Sequence, residues 1–199
     1  MTSESKKEKT QFFKNWTGLI TLFMFISGIV GFCAVMIINS ALGHNNLETG
    51  TYLVETANYC AASSFIAAVI GLTQWLLLRR KIKISSLWIL ACIAGILISE
   101  SLAGFILWKL EINRANIGLL QGGRILPEIL IFTFTGALIG IFQFPLLKRN
   151  YHKAGLWIPA SIIAWVTVPL AIYALGGITL GAITGATLIW ILQKKEVTS

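Results

Sequence analysis

Four polar side chains lie inside long apolar stretches of this 199-residue chain and are the first candidates for chemistry: Gln74, Glu100, Glu128 and Gln143. Polar groups are costly in apolar surroundings, so they mark binding sites, proton paths or helix contacts there. Two carboxylates can bind a cation or a proton, or pair with arginine. Two amides can hydrogen-bond across helices or line a polar pocket. The choice depends on the elements that carry these residues.

Composition places those elements in a membrane. Hydrophobic residues make up 56% of the chain and charged residues 12%. Apolar runs able to cross a hydrocarbon layer of ~30 Å cover residues 16–38, 59–78, 87–108, 125–147, 155–175 and 176–193. Only the Leu175-Gly176-Gly177 turn separates the last two, so the alternative count is five. The sequence predicts an all-α polytopic membrane protein with six transmembrane helices.

The distribution of basic residues predicts the orientation. Lys and Arg are retained on the cytoplasmic side of membrane proteins. Thirteen of the 16 Lys and Arg lie before the first run, between the second and third, between the fourth and fifth, or after the sixth. Both termini are therefore expected in the cytoplasm, where the net charge of +8 faces anionic headgroups. A nucleic-acid binder is not indicated, because these bases flank apolar runs instead of sharing a soluble face.

The chain contains an internal repeat. GLTQWLLLRR at 71–80 aligns with GIFQFPLLKR at 140–149, and a Trp follows eight residues after each final Arg. A shorter copy, GATLIWILQK at 185–194, has Leu188 in place of the glutamine. The repeat predicts three pseudo-repeated hairpins, 16–83, 84–152 and 153–195, in one transmembrane domain over 16–195. Cytoplasmic tails are expected at 1–15 and 196–199.

Each unit supplies two further features. Tryptophans and basic pairs at the inner boundary are expected to act as interfacial anchors: Trp16, Trp88, Trp157, Arg79, Arg80, Lys148 and Arg149. Small residues four apart on the returning helices predict a packing stripe: Ser63, Ala67, Gly71, Gly136, Gly140, Gly177, Gly181 and Gly185. The stripes predict that the second, fourth and sixth helices meet near a pseudo-threefold axis. The alternative is the general abundance of Gly and Ala in membrane helices.

The four polar candidates retain alternative interpretations. Glu100 lies deep in the third run, and Glu128 follows Pro127 in the first turn of the fourth, where the helix dipole favours a carboxylate. They suit an ion pair with Arg114 or Arg124, a cation, proton or substrate site, or an aqueous vestibule. Gln74 and Gln143 point towards the stripe, where an amide can tie helices together or line a pocket open to the cytoplasm.

No catalytic or metal-binding pattern accompanies these residues. The chain has no Asp, hence no Ser-His-Asp set, and it has no phosphate-binding loop. Cys33, Cys60 and Cys92 are too far apart for a zinc motif. Cys33 and Cys60 are either a disulfide near the outer end of the first hairpin or two small packed residues. We therefore expect a non-enzymatic protein without metal or cofactor.

The repeated Gln-Trp-Leu-x-Leu-Arg-Arg motif followed by Trp resembles a set of small multi-pass bacterial membrane proteins. That resemblance implies the bacterial plasma membrane and no agreed activity. In size and topology the chain is also similar to the substrate-binding membrane subunits of energy-coupling-factor vitamin transporters. The favoured function is an accessory, regulatory or immunity-type module that acts through interactions in the membrane, with another membrane protein as its partner. The alternative is a small-molecule or ion transport subunit.

Overall fold

The structure, a computed structural model, describes residues 3–41, 48–110, 125–170 and 176–192. These ranges contain six α-helices and one short 3₁₀ helix, His152–Leu156. In chain order the α-helices are α1 (Ser3–Ala41), α2 (Glu48–Leu78), α3 (Leu87–Lys109), α4 (Ile125–Lys148), α5 (Trp157–Leu170) and α6 (Gly176–Ile191). The predicted all-helical class is confirmed over this part of the chain.

The helices have the apolar character of an integral membrane protein. Five segments are long and apolar enough to cross a membrane: Lys7–Gly31, Ala57–Leu78, Leu87–Lys109, Ile125–Lys148 and His152–Leu170. The sixth, Gly176–Ile191, is shorter, and its 16 residues span about 24 Å at ~1.5 Å per residue. Large apolar side chains face outwards on every helix, among them Phe25, Phe65, Phe105, Leu130, Ile163 and Trp190.

Two polar segments are helical where the sequence predicts a tail or a loop. The basic segment before Trp16 belongs to α1, which begins at Ser3, and much of the outer loop expected at 39–58 belongs to α1 and α2. Lys, Glu and Gln are good helix formers, and adding residues to an existing helix avoids the cost of nucleation. The second outer loop lies mostly outside the described residues, as do Arg114, Arg124 and Lys194.

The six helices form a closed ring. Each packs on its neighbours in the chain, and α6 also packs on α1. Inner turns of the same form follow α2 and α4: the amides of Lys81 and Ile82 bond to the Leu78 carbonyl, and those of Asn150 and Tyr151 bond to the Leu147 carbonyl. The described basic residues of 7–14, 79–83 and 148–153 consequently lie at one end of the ring, which we call the basic end.

The glycine stripes pack differently from the sequence expectation. Gly71 lies against α3, Gly136 and Gly140 lie against α5, and Gly177, Gly181 and Gly185 lie against α1. A β-carbon on Gly181 would lie 2.9 Å from the Thr17 α-carbon, so backbone meets backbone there. The predicted meeting of α2, α4 and α6 on a central axis is therefore wrong for these glycines. Each returning helix uses them to approach an outgoing helix, since close backbone packing replaces the hydrophobic effect in lipid.

The close approach at Gly136 gives a stability prediction. A β-carbon there would lie 2.7 Å from the Ser161 carbonyl oxygen, so we expect Gly136→Ala to destabilise the fold by about 1–3 kcal/mol. Gly18 on α1 has nothing within 4 Å of the same position, and Gly18→Ala should raise helix stability by up to ~1 kcal/mol. Thermal unfolding in detergent, followed by tryptophan fluorescence, should move the two midpoints in opposite directions. Equal midpoints for both variants would contradict the packing.

Candidate functional site

Gln74 lies near the basic end of α2 and bonds to the helix that follows. Its Oε1 accepts a hydrogen bond of 3.0 Å from the indole Nε1 of Trp88 in α3. The Cys92 thiol, one turn along α3, lies 3.8 Å from the same oxygen and donates to it. Gln74 is 5% exposed, so its carbonyl is occupied inside the bundle.

Gln143 makes the corresponding contact between α4 and α5. Its Oε1 accepts a hydrogen bond of 2.8 Å from the indole Nε1 of Trp157, while its Nε2 donates to the Cys92 sulfur at 2.9 Å. Cys92 therefore joins the two amides, and the rings of Trp88 and Trp157 meet with their centroids 5.5 Å apart. We call these five residues (Gln74, Trp88, Cys92, Gln143 and Trp157) the Gln–Cys–Gln network. It ties four consecutive helices together.

A third tryptophan closes the ring between α1 and α6. The indole Nε1 of Trp16 donates a hydrogen bond of 3.0 Å to the Thr184 hydroxyl, which itself donates to the Leu180 carbonyl at 2.6 Å. Gly185 packs against the Trp16 side chain, where a β-carbon would come within 2.8 Å of Cδ1. The α1–α6 contact thus uses a hydroxyl one turn before Leu188, the residue that the predicted repeat aligns with the glutamines.

The predicted interfacial anchors fall into two groups. Trp16, Trp88 and Trp157 are 0–1% exposed, so their rings lie in the core instead of facing the headgroups, because each indole N–H has its acceptor inside the bundle. The basic pairs are exposed at the basic end as expected, although their surroundings differ. The Arg79 guanidinium lies over the Trp75 ring at 4.6 Å, and the Lys148 ammonium lies 5.5 Å from the Phe144 ring centre.

Hydroxyl pairs link helices further from the basic end. Ser99 of α3 and Thr135 of α4 share a buried hydrogen bond of 2.6 Å. Thr167 of α5 donates to Thr179 of α6 at 2.8 Å. Each pair joins neighbouring helices, as the Gln–Cys–Gln network does nearer the basic end. Helices are therefore tied by polar side chains at more than one depth.

The two carboxylates lie in the half of the bundle away from the basic end. Glu100 is half-buried in α3, directly after Ser99. Glu128 is 5% exposed and lies in the first turn of α4. It precedes Ile131 by about one turn, and the Ile131 carbonyl accepts a hydrogen bond of 3.3 Å from Ser99. The arginines predicted to pair with them, Arg114 and Arg124, lie outside the described residues. The ion-pair and binding-site interpretations therefore both stay predictions.

The small packing residues of α2 and the cysteines complete the predicted set. Ser63 is half-buried and Ala67 is buried on α2. All three cysteines are free thiols, and Cys60 lies 3.7 Å from the Ser101 hydroxyl. Among the described residues, no three His, Cys, Asp or Glu side chains are grouped in a way that could hold a metal ion.

Sequence reasoning missed Cys92 and Thr184 as members of the polar contacts. A signal for the pairing was present in the sequence, because a Trp follows 14 residues after each glutamine, from Gln74 to Trp88 and from Gln143 to Trp157. Comparisons with protein-family models, with curated proteins and with solved structures find no match for this chain. The helices and their contacts are thus the evidence on function.

The Gln143–Trp157 bond predicts a measurable coupling. Replacing Gln143 by Met keeps the shape of the side chain but leaves the buried indole N–H without its acceptor. In a double-mutant cycle with Trp157→Phe, we expect a coupling of about 0.6–1.7 kcal/mol, the range for hydrogen bonds between membrane helices. Unfolding in detergent measures it.

The control cycle combines Gln143→Met with Trp190→Phe. The Trp190 side chain is 50% exposed. That cycle should give a coupling near zero. A coupling of the same size in both cycles would mean that the amide does not act through Trp157.

Proposed function

We propose that this protein is a non-enzymatic integral membrane module, of an accessory, regulatory or immunity type, that acts through lateral contacts with another membrane protein. The observation that carries the proposal is that the buried amides near the basic end already have hydrogen-bond partners within the protein. Both glutamines have their carbonyl oxygens bonded within the bundle, at 5% and 0% exposure, and the two tryptophans that donate to them, Trp88 and Trp157, are buried. A pocket for a polar ligand at the basic end would need those groups turned towards an opening.

The outer surface of α1 is the best candidate for the contact. Gly18, Thr21, Leu22 and Phe25 line a shallow groove with Ile178 of α6, which we call the α1–α6 flank. Gly18 has nothing within 4 Å of where a β-carbon would be, so another helix can approach the backbone closely there. Leu22 and Phe25 are 50% and 54% exposed. An apolar transmembrane helix fits this surface.

Photo-crosslinking in the membrane tests the proposal. A crosslinking amino acid at Leu22 should capture a membrane protein, and Gly18→Leu should abolish the capture because its side chain fills the groove. The matched control is the same probe at Ile163 on α5, which is 56% exposed but lies away from the flank. Equal capture at both positions, or none at Leu22, would contradict a specific partner on α1.

Transport of a small molecule or ion is the second candidate, and the burial of Glu128 favours it. A carboxylate inside a membrane span marks substrate and proton paths by default. Native mass spectrometry after gentle detergent extraction distinguishes the two functions. A bound metabolite that is lost on Glu128→Gln or Glu100→Ala would support transport and contradict the interaction module.

We further propose that both termini face the cytoplasm of a bacterial cell, with six helices crossing the plasma membrane. The clustering of basic residues at one end supports this orientation. In a background where the three native cysteines are replaced by Ser, Asn45→Cys should react with an impermeant maleimide from outside. Lys83→Cys, between α2 and α3, should react only after the membrane is opened. The reverse pattern would overturn the topology.

A further inference from the structure

A second groove runs along the opposite side of α1, between α1 and α2. It has a volume of about 370 Å³, within the range of ~300–1,000 Å³ typical of ligand sites. Most of its wall is aliphatic and aromatic. Its polar members are Ser27, Thr73 and Arg80, and the two hydroxyls donate to backbone carbonyls of their own helices.

The dimensions of the groove match one leaflet of a bilayer. On α2 it extends from Phe65 to Leu77, about 18 Å at ~1.5 Å per residue. Half of a hydrocarbon core of ~30 Å is about 15 Å. The groove therefore runs parallel to the lipid chains over the depth of the leaflet at the basic end, and Arg80 lies where a headgroup would be.

Arg80 is positioned for an anion, unlike its neighbour. Both arginines are exposed at the end of α2, yet Arg79 lies over the Trp75 ring, whereas Arg80 lines the groove. Arg80 has no ion pair with the residues whose side chains the structure describes. A guanidinium binds phosphate oxygens through two parallel N–H bonds, so Arg80 supplies the recognition that the apolar wall does not.

We propose that the α1–α2 groove binds one acyl chain of an anionic phospholipid, with the phosphate of that lipid held by Arg80. The lipid interior of the bilayer is as apolar as the groove. An acyl chain therefore gains little free energy by moving from the bilayer into the groove. Selection of this lipid must then come from headgroup charge. This site is separate from the α1–α6 flank and does not depend on the proposed protein partner.

Native mass spectrometry of the full chain, from micelles containing equal phosphatidylglycerol and phosphatidylcholine, tests the proposal. The protein should retain one phosphatidylglycerol in preference to phosphatidylcholine. Arg80→Gln should lower that retention about tenfold, the effect expected for loss of a charge-assisted hydrogen bond to the lipid phosphate. The matched control Arg79→Gln removes the same charge one residue away and should leave retention unchanged.

A second pair of variants tests the groove without changing charge. Val69→Trp fills the wall beside Thr73 and should abolish retention, whereas Leu90→Trp, at an exposed position of α3, should not. Equal losses for Arg79→Gln and Arg80→Gln would overturn the proposal, because a diffuse field would then explain the binding. The proposal would also be overturned if the protein retained both lipids equally, or if Val69→Trp still retained phosphatidylglycerol. A dimer without bound lipid would overturn it as well.

Discussion

An indole N–H buried in a hydrocarbon layer has no water to bond with, so it needs an acceptor from the protein. Three of the four buried tryptophans, all but Trp165, meet that constraint in the same way, each by reaching a polar side chain on an adjacent helix. Trp88 uses Gln74, Trp157 uses Gln143 and Trp16 uses Thr184. Because donor and acceptor lie on different helices, each bond also fixes the relative depth of two helices.

Glycine packing reinforces these bonds at the same depth. Gly71 lies against Cys92 and Gly185 against Trp16, while Gly140 lies against Ile158 beside Trp157. These three pairs join α2 to α3, α6 to α1 and α4 to α5. At this depth the hairpins predicted from the sequence are therefore held to one another across their boundaries.

Much of the fold could be predicted from the sequence, while the polar contacts could be predicted only in part. Charged residues bound the third and fourth runs, so the predicted 87–108 and 125–147 agree with α3 and α4 to one residue. Both ends of α1 and the start of α2 were missed, because hydropathy does not register a polar helix that extends beyond the membrane. The sequence placed the glutamines at helix contacts. It did not predict that the tryptophans lie in the core, because tryptophan is so common at membrane interfaces. Thr184 was hidden because it lies one turn away from the aligned Leu188.

The most direct test of the central claim is hydrogen exchange at the indole N–H groups, followed by NMR of the protein labelled at its tryptophans. The indole protons of Trp16, Trp88 and Trp157 should exchange far more slowly than those of Trp108 and Trp190, which are 42% and 50% exposed. Exchange at Trp157 as fast as at Trp108 would mean that its bond to Gln143 does not hold the helices together, and would contradict the account.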